Sequence, residues 1–252
     1  KSRFMTHDGH MIEGVLIPTE KRNTACVSSQ IGCSLSCKFC ATGYMERKRN
    51  LDFDEIYDEV VLLNQMAEKT YGKKLSNIVF MGMGEPLLNY ANVMKSIERI
   101  TAPDGLNMAS KRITVSTAGI AKMIKKLGDD QVRFNLALSL HAANDKKRNE
   151  IMPINEQNSL EALADALKYF YAKTKNPVTY EYIVFDHFND SLEDAAELAR
   201  FDDALVVRQH HRDQPGVGRA LHVVLAAQRM QAGAGAADLA RHQREGDQAA
   251  RV

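Results

Sequence analysis

The chain has 252 residues, 44% of them apolar, with 33 basic and 32 acidic side chains and a formal net charge of +1. That apolar content suffices for one α/β barrel, and the balanced charge gives no global sign of a nucleic-acid partner. No apolar run approaches the roughly 18 residues of a membrane span, and the N-terminal KSRFMTHDGH lacks a signal peptide's apolar stretch, so a cytosolic protein with no membrane partner is expected.

In chain order, residues 12 to 200 alternate short β-rich apolar runs with longer amphipathic segments, the pattern of a parallel sheet with crossover helices. Strands are predicted over Ile12–Ile17, Ala25–Ser28, Asn77–Met81, Arg112–Ser116, Arg133–Ser139 and Val178–Phe185. Helices are predicted over Asp54–Thr70, Tyr90–Ile100, Ile120–Leu127, Leu160–Ala172 and Leu192–Arg200. Ligand sites are then expected in the loops at the C-terminal ends of the strands. Three basic clusters, Arg47 to Arg49, Lys111 with Arg112, and Lys146 to Arg148, read as solvated faces, with an RNA contact as the alternative.

The composition divides the chain into a lead-in (1–24), a core (25–200) and a tail (201–252). The tail contains no Lys, Ser, Thr, Asn, Ile, Tyr or Cys, yet holds eleven Ala, six Gln, seven Arg and four of the eight His. It reads as a segment that is not the native continuation of the fold, the alternative being an Ala-rich extension. Within it, Ala220–Met230 could make a helix.

All four cysteines lie between positions 26 and 40, a clustering that points to metal or redox chemistry rather than to a disulfide framework. Cys33-Ser-Leu-Ser-Cys37-Lys-Phe-Cys40 places three thiols on one short loop. Three thiolates on a four-iron cubane leave one iron open to a small molecule. The alternative is structural zinc with Cys26 as fourth ligand, although zinc ribbons prefer two C-x2-C pairs.

Farther on, Met81-Gly82-Met83-Gly84-Glu85-Pro86 follows an apolar strand and precedes a helix. Its glycines let the backbone approach a ligand, and Glu85 could hold an ammonium group. Ser116-Thr117-Ala118-Gly119 and Ser139-Leu140-His141 also end strands and offer hydroxyl and imidazole groups to a cofactor. Each could instead cap the next helix, and His141 could be a satisfied structural histidine.

Together, Cys26-Val-Ser-Ser-Gln-Ile-Gly-Cys33 through Gly43, Arg49-Asn50-Leu51 and Gly82 to Asn89 resemble the RlmN family of radical S-adenosylmethionine methyltransferases. These enzymes act on adenine C2 in large-subunit ribosomal RNA and in tRNA. The resemblance continues through Ser116-Thr117, Ser139-Leu140-His141, Met152 to Asn155 and Asn189 to Ser191, covering about residues 8 to 200. Pro86 favours the C2 enzyme over the related C8 antibiotic-resistance methyltransferase, which usually has Ala there. The implied fold is α/β, a partial (β/α)6 barrel of parallel strands.

The implied cofactors are a [4Fe-4S] cluster on Cys33, Cys37 and Cys40, and S-adenosylmethionine near Gly84, Glu85, Ser116, Ser139, Leu140 and His141. Glu13 matches the residue proposed to take the proton from adenine C2. From the residues alone, Glu13 reads rather as an ordinary solvent-facing strand carboxylate. Cys26 matches the cysteine that resolves the covalent adduct through a transient disulfide. Implied partners are large-subunit rRNA, tRNA and an electron donor such as flavodoxin, with the chain a monomer.

Three departures from the family pattern are expected to matter. The chain begins about where the family's catalytic domain begins, so the small N-terminal RNA-binding domain is missing. The last barrel strand and its Asn-bearing loop are not found in Ala204-Leu205-Val206-Val207-Arg208-Gln209. No cysteine follows Cys40, so the family's methyl-accepting cysteine has no counterpart.

Overall fold

The computed structural model describes residues 1–205 and 223–228. The second strand, β2 (Met11–Pro18), shows the period of two that pleating imposes, with Ile12 and Gly14 buried and Glu13 and Val15 partly open. It pairs antiparallel with β1 (Ser2–Met5) on one side and β3 (Asn23–Cys26) on the other. A separate two-stranded pair joins β4 (Gln30–Ile31) to β5 (Arg49–Asn50).

From β3 onward the main sheet is parallel. It continues through β6 (Asn77–Phe80), β7 (Ile113–Thr117), β8 (Asn135–Ser139), β9 (Val178–Phe185) and β10 (Val223–Gln228). The helices are α1 (Phe53–Tyr71), α2 (Tyr90–Thr101), α3 (Ala121–Asp129), α4 (Asp145–Ile151), α5 (Leu160–Thr174) and α6 (Leu192–Leu205). The result is an open α/β sheet consistent with a partial barrel.

Helix α1 shows why the layers hold. Ile56, Val60, Leu63 and Ala67 recur at helical spacing on one stripe and are buried against the sheet. Each fully buried Ile or Leu contributes about 1.5–3 kcal/mol, and Leu63→Ala would cost about 2–5 kcal/mol. Gly72, at φ 65°, ends the helix in the left-handed conformation, its N–H donating to Glu68 O.

The sheet register positions the site. Val15 lies opposite Cys26, Cys26 opposite Val79, and Thr114 opposite both Val79 and Asn135. Ser116 lies opposite Ala137, and Ser139 opposite Glu181. Residues two apart share a face, so Glu13, Cys26, Ser116, Ser139 and Glu181 all leave the sheet on one side. Ala25, Ile78, Phe80, Ile113, Val115, Leu136 and Leu138 leave on the other and form the buried core.

The structure corrects several expectations. The sheet is not wholly parallel: the four residues between β2 and β3 are too few for a crossover, so the pairing there is antiparallel. Instead of a helix over Ala220–Met230, Val223–Gln228 is a strand whose register runs from Val223 opposite Tyr180 to Gln228 opposite Phe185. Val223 and Val224 are β-branched, and the edge of β9 supplies partners for their backbone. The sixth strand of the parallel run is thus present, but after the stretch in which it was sought. Ala204 and Leu205 end α6, whereas residues 206–209 lie outside the described residues.

Among the basic clusters, Arg49 bonds Asp8 and Glu55 and Arg148 is fully buried, so neither is a free solvated charge, whereas Lys48 pairs with Glu46 on the exposed surface. No helix among the described residues is long and apolar enough to cross a membrane.

Candidate iron–sulfur and cofactor site

The β4–β5 pair closes the neck of the cysteine loop. Gly32 stands at that neck with φ 73°, and a Cβ there would come within 2.2 Å of Glu46 O. Gly43 has no room either, since its Cβ would meet Cys37 O at 2.7 Å. Between them the backbone turns tightly, with Cys40 N donating to Cys37 O at 3.1 Å and Gly43 N to Cys40 O at 2.9 Å. Leu35, Cys37 and Phe39 pack on a small apolar cluster of Ala118, Ile151, Met152 and Phe185. Lys38 N donates to Ile151 O at 2.9 Å, fixing the loop to the end of α4.

Cys33, Cys37 and Cys40 are all free thiols and half-buried. Burial first, then negative charge on Cys40 and Cys33, pushes the Cys37 thiol up to about 12. Burial likewise raises Cys33, with Glu85 and Cys40 adding to the effect. A cation is therefore what would turn this trio into thiolates.

Four sulfurs around one zinc at 2.3 Å would sit about 3.8 Å apart. Among the described residues, the group of His, Cys, Asp or Glu donors gathered within 4.8 Å of one another is Asp186, His187 and Asp190, all exposed. Cys33, Cys37 and Cys40 do not form such a group, so they are not drawn together around a single zinc. Cys26 does not complete a zinc site: it lies on β3, and the charges acting on it come from Glu59 and Glu181. The donor set fits a [4Fe-4S] cluster with one open iron.

Beside this loop, the glycine motif approaches the backbone of β3 and β4. A Cβ on Gly82 would meet Val27 O at 2.7 Å, and one on Gly84, at φ 93°, would meet the Gln30 side chain at 2.4 Å. Glu85 is 3% exposed, with Oε1 accepting from Leu87 N at 3.0 Å and Oε2 from Ala118 N at 2.7 Å. Its carboxylate ties the β6 loop to the end of β7, and burial pushes its pKa up. An ammonium at Glu85 would share oxygens that already hold two backbone amides.

The serines meet a residue that the sequence reading missed. Ser116 Oγ donates to Glu181 Oε2 at 3.0 Å, Ser139 Oγ reaches the same oxygen at 3.3 Å, and the two hydroxyls are 3.4 Å apart. Leu140 is fully buried in the core, its N–H donating to Glu181 O, so it offers the open face no side chain. His141 is 4% exposed, and its Nδ1 accepts from Ile183 N at 3.1 Å. Burial, then the charge of Arg148, holds its pKa down at about 3, so it is neutral. Its ring stands edge-on to Phe39 at 4.6 Å, a buttress for the cysteine loop.

Arg148, on the unpredicted helix α4, was also missed. Its guanidinium donates to Leu140 O, Asn155 Oδ1, Ala118 O and Ser139 O at 2.6 to 3.0 Å, binding the ends of β7 and β8 together.

Glu13 is partly open and pairs with Lys1, Oε2 to Nζ at 2.7 Å. Cys26 sits one strand away on the same face, its thiol pushed up to about 11 by burial and by Glu59. The structure thus groups Glu13, Cys26, Ser116 and Ser139 on one sheet face. Gly84, Glu85 and His141 belong to the strand-end loops beside the cysteines.

Residues 27–199 match the radical SAM superfamily, and the chain belongs to it. Its members use a [4Fe-4S] cluster and S-adenosylmethionine. Among curated relatives, a protein of Cytophaga hutchinsonii named "Probable dual-specificity RNA methyltransferase RlmN" is 64% identical over 201 residues, 80% of this chain and 55% of its own length. One of the same name from Christiangramia forsetii is 56% identical over 201 residues, 80% of this chain and 57% of its own. This chain spans a little over half the length of these relatives. The crystal structure of a radical SAM methyltransferase from Sphaerobacter thermophilus superimposes with a TM-score of 0.79 at 37% identity, covering 89% of this chain and 61% of that one.

Proposed function

We propose that the chain is the catalytic core of an RNA methyltransferase acting at adenine C2 of large-subunit ribosomal RNA and tRNA. Cys33, Cys37 and Cys40 would hold the cluster. S-adenosylmethionine would lie against Gly84, Glu85, Ser116, Ser139, Leu140 and His141, with Leu140 contributing through the strand-end backbone alone. The observation that carries the reading is the shared face of Glu13 and Cys26, set by the pairing of Val15 with Cys26 beside the cysteine loop. The reducing cytosol suits the four free thiols, and a one-electron donor of the flavodoxin class would reduce the cluster of a monomeric chain.

Bound S-adenosylmethionine would supply the methyl group and, with an electron from the cluster, the radical chemistry that an electron-poor C2 requires. Glu13, whose carboxylate pairs with Lys1, would take the C2 proton. Cys26 rests as a neutral thiol and must lose its proton before it can attack sulfur.

No cysteine follows Cys40 in these 252 residues, so the chain as it stands has no methyl carrier. It would cleave S-adenosylmethionine slowly and transfer no methyl, the behaviour of a non-methylating protein with the same site. The test is incubation with unmodified ribosomal RNA, reductant and labelled S-adenosylmethionine, followed by digestion. Deoxyadenosine without 2-methyladenosine is expected, with the methylated base restored when a relative's C-terminal segment replaces residues 201–252. Multiple turnovers by the unaltered chain would overturn the carrier assignment.

A further inference from the structure

Arg148 is fully buried, yet its guanidinium touches only neutral groups, the carbonyls of Ala118, Ser139 and Leu140 and the amide of Asn155. It takes part in no ion pair among the described residues. Asp145, the carboxylate in the same network, bonds Asn155 Nδ2 and Leu160 N instead. Burying a cation without an adjacent anion costs several kcal/mol, and neutral acceptors recover only part of that. A buried unpaired charge therefore calls for a negative partner nearby.

The fold indicates where that partner sits. Arg148 lies in the last turn of α4, whose terminal residue Ile151 accepts the Lys38 N–H. Cys37, next to Lys38, packs with Leu35 and Phe39 on Ala118, Ile151 and Met152. Ala118 O, in that same cluster, is one of the guanidinium's acceptors. Two negative groups act on Arg148, Cys37 first and the non-contacting Asp145 second, and the guanidinium in turn favours the Cys37 thiolate.

We propose that Arg148 is the buried countercharge of the iron–sulfur centre and raises its reduction potential. The inference rests on the cluster assignment made above. An oxidised cubane core carries two positive charges and three thiolates carry three negative ones, so the assembly is a monoanion. One electron from a one-electron reductant makes it a dianion, with no bond broken and no proton moved. A fixed cation in a poorly solvated wall favours the dianion over the monoanion, which shifts the couple toward reduction.

The test uses the full 252-residue chain, reconstituted anaerobically, with the potential read by dye-mediated spectroelectrochemical titration. Arg148→Gln should make reduction at least tenfold less favourable, a downward shift of about 59 mV or more for one electron. Arg148→Lys, which keeps the charge but loses the fork of bonds, should stay close to the parent. Should Arg148→Gln fail to fold, Asn155→Asp serves instead, since a carboxylate on the atom that accepts Nη1 cancels the charge and should lower the potential in the same sense.

Equal shifts in the Gln and Lys variants, or no shift in Gln, would overturn the inference and leave a purely structural arginine. A shift seen only with S-adenosylmethionine added would also overturn it, assigning the guanidinium to the cofactor's carboxylate. Failure of the parent chain to take up iron would overturn the cluster assignment itself, and is read before any variant is made.

Discussion

Ser139 lies directly opposite Glu181 in the parallel pairing of β8 with β9, and its hydroxyl reaches the Glu181 carboxylate at 3.3 Å. Ser116, one strand further, reaches the same oxygen at 3.0 Å. Two hydroxyls converging on one desolvated carboxylate make an acceptor prepared for a ligand's hydroxyl groups. Glu181→Ala is expected to weaken S-adenosylmethionine binding about 10-fold or more, in line with the worth of a hydrogen bond to a charged group. Equilibrium dialysis of the anaerobic chain measures it. Unchanged binding would return all three residues to a structural role.

Cluster chemistry gives the second prediction. Replacing Cys33, Cys37 or Cys40 by Ala should abolish iron uptake and the charge-transfer absorbance that air bleaches. Cys26→Ala should retain about four irons per chain, because Cys26 lies on β3, outside the loop that carries the other three thiols. Loss of iron in Cys26→Ala would move that residue into the ligand set.

Glu59 supplies a pH prediction for the metal-free chain. Its Oε2 accepts from Ser28 N at 3.0 Å, while buried Oε1 has no partner, and burial raises its pKa well above 4.5. A carboxyl raised in the folded state binds protons on folding, so its contribution to stability is complete below the unfolded value and lost as pH rises through the folded one. Glu85 and Glu181, also raised by burial, act in the same sense. Glu59→Gln should melt no lower than the parent at neutral pH and show a shallower decline from pH 5 upward. An unchanged slope would place the carboxylate in contact with water.

His141 acts in the opposite direction. Its folded pKa of about 3 lies below 6.5, so the unfolded chain binds the proton more readily and stability falls as pH drops from 6.5 toward 3. His141→Asn should flatten that acid limb at some cost in neutral stability, since the ring supports Phe39 and accepts from Ile183 N. Melting temperature against pH for both proteins is the check.

Two glycines with left-handed backbones separate strain from contact. Gly9, at φ 81°, has open space around a built Cβ, whereas Gly84, at φ 93°, has Gln30 at 2.4 Å. Gly9→Ala should cost about 1–2 kcal/mol in stability from conformation alone. Gly84→Ala should cost more and also reduce cofactor affinity, because relief requires moving Gln30, which holds Glu85 N through Oε1. Equal costs would mean that the Gln30 contact is easily relieved.

The predicted strands were legible because they are short apolar runs with breakers between them, and α5 because Leu160, Leu163, Leu167 and Phe170 repeat at helical spacing. The helix α4 was not, since Asp-Lys-Lys-Arg-Asn-Glu-Ile has almost no apolar stripe. Arg148 is buried only because strand-end carbonyls from residues 118, 139 and 140 converge on it, a long-range fact absent from its own neighbourhood. Glu181 could have been found: it interrupts an apolar run on β9 as Glu13 does on β2, and the same reasoning applied to both. Residues 223–228 were misread because alanine is at home in helices, while the open edge of β9 decides the outcome here.

The docking of Lys38 N onto Ile151 O also bears on how the protein is made. The cysteines leave the ribosome first, and the helix that backs them is synthesised roughly 110 residues later. At typical translation speeds of about 5–20 residues per second, that interval is on the order of 5–20 s. Throughout it the nascent thiols lack their wall and meet oxygen, stray metals and other chains directly. Cluster insertion into the finished fold, with the loop already seated, avoids that window.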